Sequence, residues 1–252
     1  DVAAIVAEGR DKGHDAFASV GGDGTANLTV NGLFQLDWAA PPTLAILPAG
    51  SGSDLVRTFG IPNRLESAAD HLLDDSRYPI DIGLLSGSFG RRHFLNAANA
   101  GLAARTVVEA NRLPRRLGAR RYLAGFWSAL AKTEPKDVHV DCDGTTIVTE
   151  AWNVVVANGQ FFGGGMNVAP RAIAGDGRFD VQVFAGPRRD APLVIRRVVK
   201  GTHLSHPAVR RTTGRRVMVD VPDTWLVEAD GEILGTGSFT AEVIKDRLLF
   251  KI

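Results

Sequence analysis

Two short strings rich in glycine and carboxylate carry the densest chemical information in the chain: Gly21-Gly22-Asp23-Gly24-Thr25 and Ala49-Gly50-Ser51-Gly52-Ser53-Asp54. Glycines at Gly21, Gly22 and Gly24 let the backbone take positive φ and let a bulky anion come close to the main chain. Thr25 is a residue type that caps helices, and the free N–H groups of the next turn would point where a phosphate sits. Asp23 is informative because a carboxylate beside a phosphate is repulsive unless a divalent cation lies between them. The first string therefore reads as a site for a triphosphate with magnesium. In the second, Ser51 and Ser53 offer hydroxyl donors and Asp54 a further carboxylate.

Two later strings are less specific on their own. Gly163-Gly164-Gly165-Met166 leads through Ala169-Pro170 to Ile173-Ala174-Gly175-Asp176-Gly177-Arg178-Phe179-Asp180. Triple glycine lets a chain pass close to a substrate or another backbone, and equally suits a flexible loop. Glu228-Ala229-Asp230-Gly231-Glu232 lies between strand-like runs and reads from its residues as a hairpin turn before anything else. Cys142, the lone cysteine, sits in an alternating run and is expected to pack rather than react; a single cysteine suits a reducing cytoplasm. The six histidines show no metal-ligand spacing, and no Ser-His-Asp arrangement is discernible.

The elements that position these strings change character along the chain. Asp1 to Gly9 reads as helix, Ala16 to Val20 as strand, Thr25 to Leu36 as helix and Thr43 to Leu47 as strand, with helices over Ser53 to Thr58 and Leu65 to Leu73. Short apolar strands separated by helices predict a parallel sheet covered on both faces, and both glycine turns would open at its carboxyl edge, where ligands of such folds bind. A helix feeding the first strand suggests a preceding strand outside this sequence. From Ile80 onward the segments alternate apolar and polar: Ile80 to Leu85, His93 to Ala98, Val138 to Cys142, Trp152 to Val156, Phe179 to Phe184, Arg216 to Val221 and Phe239 to Ile244. Antiparallel strands are expected there, interrupted by helices over Ala110 to Lys132 and Pro192 to Gly201. The expected class is α/β plus β: a Rossmann-like parallel-sheet nucleotide domain over residues 1–79, then an antiparallel β-sandwich domain over 80–252, with the active site in the cleft between them.

Here a family resemblance becomes plain. Gly21 to Thr25 with Asn27 and Asn31-Gly32-Leu33, then Leu47-Pro48-Ala49-Gly50-Ser51-Gly52-Ser53-Asp54, is similar to the catalytic domains of diacylglycerol kinases, sphingosine kinases and bacterial lipid kinases. The string from Gly163 to Asp180 resembles the same family's second-domain signature. Three departures stand out: Leu28 replaces a glutamate, Ser51 a threonine and Ser53 an asparagine. The resemblance implies ATP held by Gly21, Gly22, Asp23, Gly24, Thr25, Gly50, Ser51, Gly52, Ser53 and Asp54. It implies a structural Mg2+ bound by the Asp176 side chain and the Ile173 and Arg178 carbonyls, with Asp180 bracing its strand. It also implies Glu232 as proton acceptor, with Asp230 orienting substrate or metal; phosphoryl transfer to an alcohol needs such a base and a divalent cation. Asn96 to Gly101 matches the family's crossover and is expected to line the cleft.

Composition bounds the partners. The chain has 252 residues and a net charge of +1, so nothing pulls it toward nucleic acid. Basic residues are mostly arginine, several in doublets suited to phosphate head groups. No apolar stretch approaches the roughly 20 residues needed to cross a bilayer. The expected partner is a lipid alcohol reached by transient contact with the membrane surface, from a cytoplasmic, peripheral location. The helical stretch bearing Arg115-Arg116, Arg120-Arg121, Phe126 and Trp127 either rests on anionic lipid or packs its aromatics into the core. Two rivals share much of the pattern, an NAD kinase and an inactive lipid- or nucleotide-binding relative. The acceptor lipid and the oligomeric state, a homodimer among the options, are not legible.

Overall fold

In the first part of the chain, periodic apolar residues become alternating helices and parallel strands. The computed structural model describes residues 1–49, 54–62, 64–73, 75–118 and 120–251; the turn at Gly50, Ser51, Gly52 and Ser53 lies outside them. Helix α1 (Val2–Asp11) is capped by the Asp1 carboxylate, which accepts the Ala3 N–H at 3.2 Å. Strand β1 (Ala16–Gly21) leads into α2 (Asp23–Leu33), and β2 (Thr43–Pro48) pairs parallel with β1 from Ala16↔Thr43 to Gly21↔Pro48. Helices α3 (Asp54–Thr58) and α4 (Leu65–Asp70) follow. Helix α2 begins at Asp23, and its cap is Gly22 rather than Thr25. The extended Gly22 carbonyl accepts the Thr25 and Ala26 N–H groups at 3.0 and 3.2 Å, so Thr25 is already inside the first turn. Its hydroxyl instead fills the space over Gly21, where an added Cβ would stand 2.4 Å from Thr25 Oγ1.

Next come the long strand β3 (Arg77–Gly87), β4 (Gly90–Phe94) and β5 (Ala97–Gly101). The single strand expected over His93 to Ala98 is broken. The amides of Leu95, Asn96 and Ala97 leave the ladder to donate to one carboxylate, that of Asp230. Nor does Asn96 to Gly101 line a cleft: β5 is buried throughout and paired on both sides. The helix expected over Ala110 to Lys132 begins only at Arg120, as α6 (Arg120–Lys132), and it is preceded by a helix that was not expected, α5 (Leu102–Asn111). Pro114, which has no N–H to donate, and a short 3-10 turn at Arg115–Leu117 separate them.

Strands β6 (Lys136–Cys142) and β7 (Thr145–Ala157) form a hairpin, and β8 (Phe161–Phe162) and β9 (Met166–Asn167) a small separate ribbon. After β10 (Phe179–Ala185) come α7 (Ala191–Val198), β11 (Val209–Gly214), β12 (Arg216–Asp220), β13 (Leu226–Ala229), β14 (Glu232–Thr236) and β15 (Phe239–Lys251). The antiparallel strands pack face to face around one apolar core that includes Phe94, Phe179, Val181 and Val217. A second core, with Trp152 and Phe184, lies under α6 and α7, and a third, with Leu33, Leu44 and Phe250, fills the α/β part. Strand β15 belongs to both parts. It pairs antiparallel with β12 and β3, passes an irregularity between Ile244 and Leu248, then joins β2 in parallel at Leu249↔Thr43. The cysteine thiol of Cys142 is buried in the sandwich core, and burial pushes it up to about 11, so it is packing and not a nucleophile.

Candidate active site

Asp23 opens α2, and its two carboxylate oxygens accept the backbone N–H groups of Asp54 and Leu55 at 3.1 and 3.2 Å. The first glycine turn thereby caps the helix that follows the second. Asp54, buried, reaches onward and accepts the Gly164 N–H at 2.8 Å. A chain of carboxylate-to-amide bonds therefore ties together three sequence strings: Gly21 to Thr25, the turn ending at Asp54, and the triple glycine. Burial raises the Asp54 carboxyl above its ordinary range, with the Asp23 charge adding to the effect. Among the described residues no hydrogen-bond partner is found for its buried Oδ1 atom.

The acidic turn comes to the same region from the far end of the sequence. Ala229 and Glu232 pair across a two-residue hairpin in which Asp230 and Gly231 take φ of 48° and 88°, the conformation that Asp-Gly supports. The partly buried Asp230 carboxylate accepts four N–H groups: Asn27 Nδ2 at 2.8 Å, Leu95 at 2.7 Å, Asn96 at 3.0 Å and Ala97 at 3.1 Å. Burial pushes its pKa up, against the pull of those donors. Asn27 stands on α2, one turn beyond the glycine string. Asn31, the next residue on that face, donates to Asn27 Oδ1 and to the His93 carbonyl, both at 3.0 Å, and its own Oδ1 accepts the His93 N–H. Glu232 is more than half exposed, and Arg92 Nη2 lies 2.5 Å from its Oε2. The first glycine turn and the acidic turn are thus fixed to one another through the Asn27–Asp230 bond.

Beneath the turn lies a carboxylate that the sequence reading gave no role. Glu228 is buried, accepts the Gly231 N–H and is bonded by Asn99 Nδ2. Burial, and then the neighbouring Asp230 charge, push it up to about 7. Its one sequence signal is an acid in the otherwise apolar run Leu226 to Ala229. Arg92 had no signal, since its partner is remote in sequence.

The proposed magnesium loop is a tight turn. Asp176 Oδ1 accepts the Arg178 N–H at 2.9 Å, and the Ile173 carbonyl accepts the Gly175 and Asp176 amides at 2.8 and 3.3 Å. Asp81, buried behind it, accepts the Gly177 N–H at 2.6 Å. These are hard oxygen donors of the kind magnesium takes. Among the described residues no group of three or more His, Cys, Asp and Glu side chains is arranged to hold a metal ion. Asp180 braces its strand as expected, paired to Arg211 at 2.6 Å and to the Gln182 amide.

A parallel-sheet part and a β-sandwich part, with an acidic hairpin of the second bonded to the phosphate-type turn of the first, define the two-part architecture of a lipid kinase. A family model for the diacylglycerol kinase catalytic domain matches residues 1–85, and one for a YegS C-terminal NAD kinase beta sandwich-like domain matches residues 96–249. The chain belongs to this diacylglycerol kinase family. It is 31% identical over 224 residues to a diacylglycerol kinase of Bacillus subtilis (strain 168), covering 88% of this chain and 72% of that protein. It is 25% identical over 245 residues to a probable lipid kinase YegS of Escherichia coli O6:K15:H31, covering 97% of this chain and 80% of that one. The fold is that of a putative diacylglycerol kinase from Bacillus anthracis str. Sterne, with a TM-score of 0.83 at 24% identity over 100% of this chain and 80% of that structure.

Proposed function

We propose that the protein transfers the γ-phosphoryl group of ATP to a hydroxyl of a diacylglycerol- or sphingosine-like lipid. The observation that carries this reading is the 2.8 Å bond from Asn27 to Asp230, which holds the acidic turn beside the glycine turn. In this reading Gly21 to Thr25 and the turn ending at Asp54 cradle the nucleotide phosphates. Asp230 is an anchor, its oxygens committed to four N–H donors, and its task is to aim the residue after Gly231. Glu232 is the proton acceptor: Arg92 holds Oε2 and leaves Oε1 for the attacking hydroxyl. Magnesium would be held by Asp23 and Asp54, where among the described residues the buried Asp54 Oδ1 has no partner, and would neutralise phosphate charge there. The loop at Ile173, Asp176 and Arg178 would hold a second, structural ion.

The test is γ-labelled ATP with the purified protein and a panel of acceptors: diacylglycerol, a sphingoid base, phosphatidylglycerol, an undecaprenyl-type alcohol and NAD. Label is expected on a lipid alcohol and not on NAD, and Glu232→Gln is expected to lower kcat about 100-fold or more. Transfer to NAD alone, or nucleotide binding with no transfer to any acceptor, overturns the reading. Undiminished turnover in Glu232→Gln removes the base assignment.

A further inference from the structure

Helix α6 turns to solvent a face that exposed helices ordinarily fill with charge. Gly125, Ala129 and Leu130 are its buried side, and Phe126 packs inward with them. The exposed positions between its basic ends, Arg120 and Lys132, are Leu123, Ala124, Trp127 and Ala131, all apolar. Leu123 is 63% exposed and Trp127 52%. Phe126 and Trp127, one sequence feature, therefore part company: the first packs in the core and the second does not.

The apolar stripe continues onto a second element. Trp127, Leu130 and Ala131 line a shallow groove of about 510 Å³ with Pro187 and Pro192 at the head of α7, and Arg189 on its rim. Arg188 fixes the two elements together by donating to the carbonyls of Ala131 and Thr133 at 3.0 and 3.4 Å. Leu193, half exposed on α7, extends the apolar surface.

Charge around the stripe is mostly basic. From Leu113 to Thr133 the chain contains no Asp or Glu, but it contains Arg116, Arg120 and Arg121. The acid packed beneath, Glu109 of α5, is occupied by Arg112, Ser128 and Lys132. Asp190 precedes α7 and Glu134 lies beyond the end of α6. An amphipathic tryptophan among exposed apolar side chains, ringed by arginines, matches the boundary between acyl chains and anionic head groups. A second copy of the chain fits poorly, because a self-complementary contact would set arginines against arginines.

We propose that the face formed by α6 and the head of α7 docks on an anionic lipid bilayer. Leu123, Trp127 and Leu193 enter the head-group boundary, while Arg116, Arg120 and Arg189 meet lipid phosphates. Docking needs no turnover, so it goes beyond the phosphoryl-transfer reading and stands or falls without it.

The test uses the full chain, without ATP or acceptor, and vesicles of phosphatidylglycerol and phosphatidylcholine in equal parts or of phosphatidylcholine alone. Co-sedimentation with the anionic vesicles is expected, falling as salt rises. The double variant Leu123→Ala/Trp127→Ala should lose about tenfold or more in partition coefficient. Arg116→Gln, Arg120→Gln and Arg189→Gln should each lose roughly fivefold. All these side chains are exposed, so Tm should not move. Leu73→Ala, at a still more exposed leucine in the first part of the chain, should bind as the wild type does. The proposal is overturned by equal binding to both vesicle types, by binding to neither, by wild-type binding in the double variant, or by equal loss in Leu73→Ala. A dimer in sedimentation equilibrium that the double variant dissolves would assign this face to self-association and overturn it as well.

Discussion

Glu228 shows what burial does to one carboxylate. The folded protein holds a proton there up to about pH 7, whereas the unfolded chain releases it near the ordinary glutamate value. Between those two values the folded state binds more protons than the unfolded one, so stability from this group is complete below the lower value and is lost as pH rises through the upper. Glu228→Gln keeps an acceptor for the Gly231 amide without a charge. It should match the wild type near pH 4 and exceed it by about 1–3 kcal/mol at pH 8 in urea unfolding. A variant less stable than wild type at pH 8 would mean that the turn needs the anion. At this scale the sequence was a partial guide. Asp23, Asp54 and Asp230 were legible as motif residues, because their types beside glycine are distinctive. What they bond was not, since each carboxylate is answered by amides from a distant string. Arg92 was invisible for the same reason, lying 140 positions from Glu232.

Elements were read well where periodicity governs and poorly where one remote contact overrides it. The parallel pair of β1 and β2 follows from two apolar runs. The break between β4 and β5 does not, because the cause, a carboxylate in another strand, leaves no trace in that segment's pattern. Helix α5 was not read, because it follows directly on the buried strand β5, and α6 was begun too early, ahead of Pro114. Their packing rests on Gly125: a Cβ there would stand 2.7 Å from the Ala110 nitrogen and 2.9 Å from the Thr106 carbonyl oxygen, both backbone atoms. Gly125→Ala should therefore separate the helices and destabilise the protein by about 1–3 kcal/mol, despite alanine's better helix propensity. Thermal unfolding tests this directly; an unchanged or raised Tm would mean that the helices can shift at little cost.

For the whole molecule the decisive element is β15, which spans both parts of the chain. The sequence suggested two parts, each with its own characteristic strings. The last turn of pairing was not, because Leu248 to Lys251 reads as one more short apolar run, with nothing to announce β2 as its neighbour. Leu248 is fully buried in the α/β core while its own strand runs on into the sandwich. Leu248→Ala should cost about 2–5 kcal/mol. Circular dichroism and tryptophan emission, which draws on Trp38 in one part and Trp127, Trp152 and Trp225 in the other, should report one shared transition. Two separated transitions would show that β15 does not couple the halves.

The bond between Asn27 and Asp230 also has a consequence in time. The two residues are 203 positions apart, so on a ribosome moving at 5–20 residues per second Asn27 emerges roughly 10–40 s before its partner exists. Until then the amides of Leu95, Asn96 and Ala97 have only water to bond, and Asn27 has no carboxylate to hold. A nascent chain, or a fragment released before Asp230, would carry the first glycine turn without the acidic turn that is bonded to it.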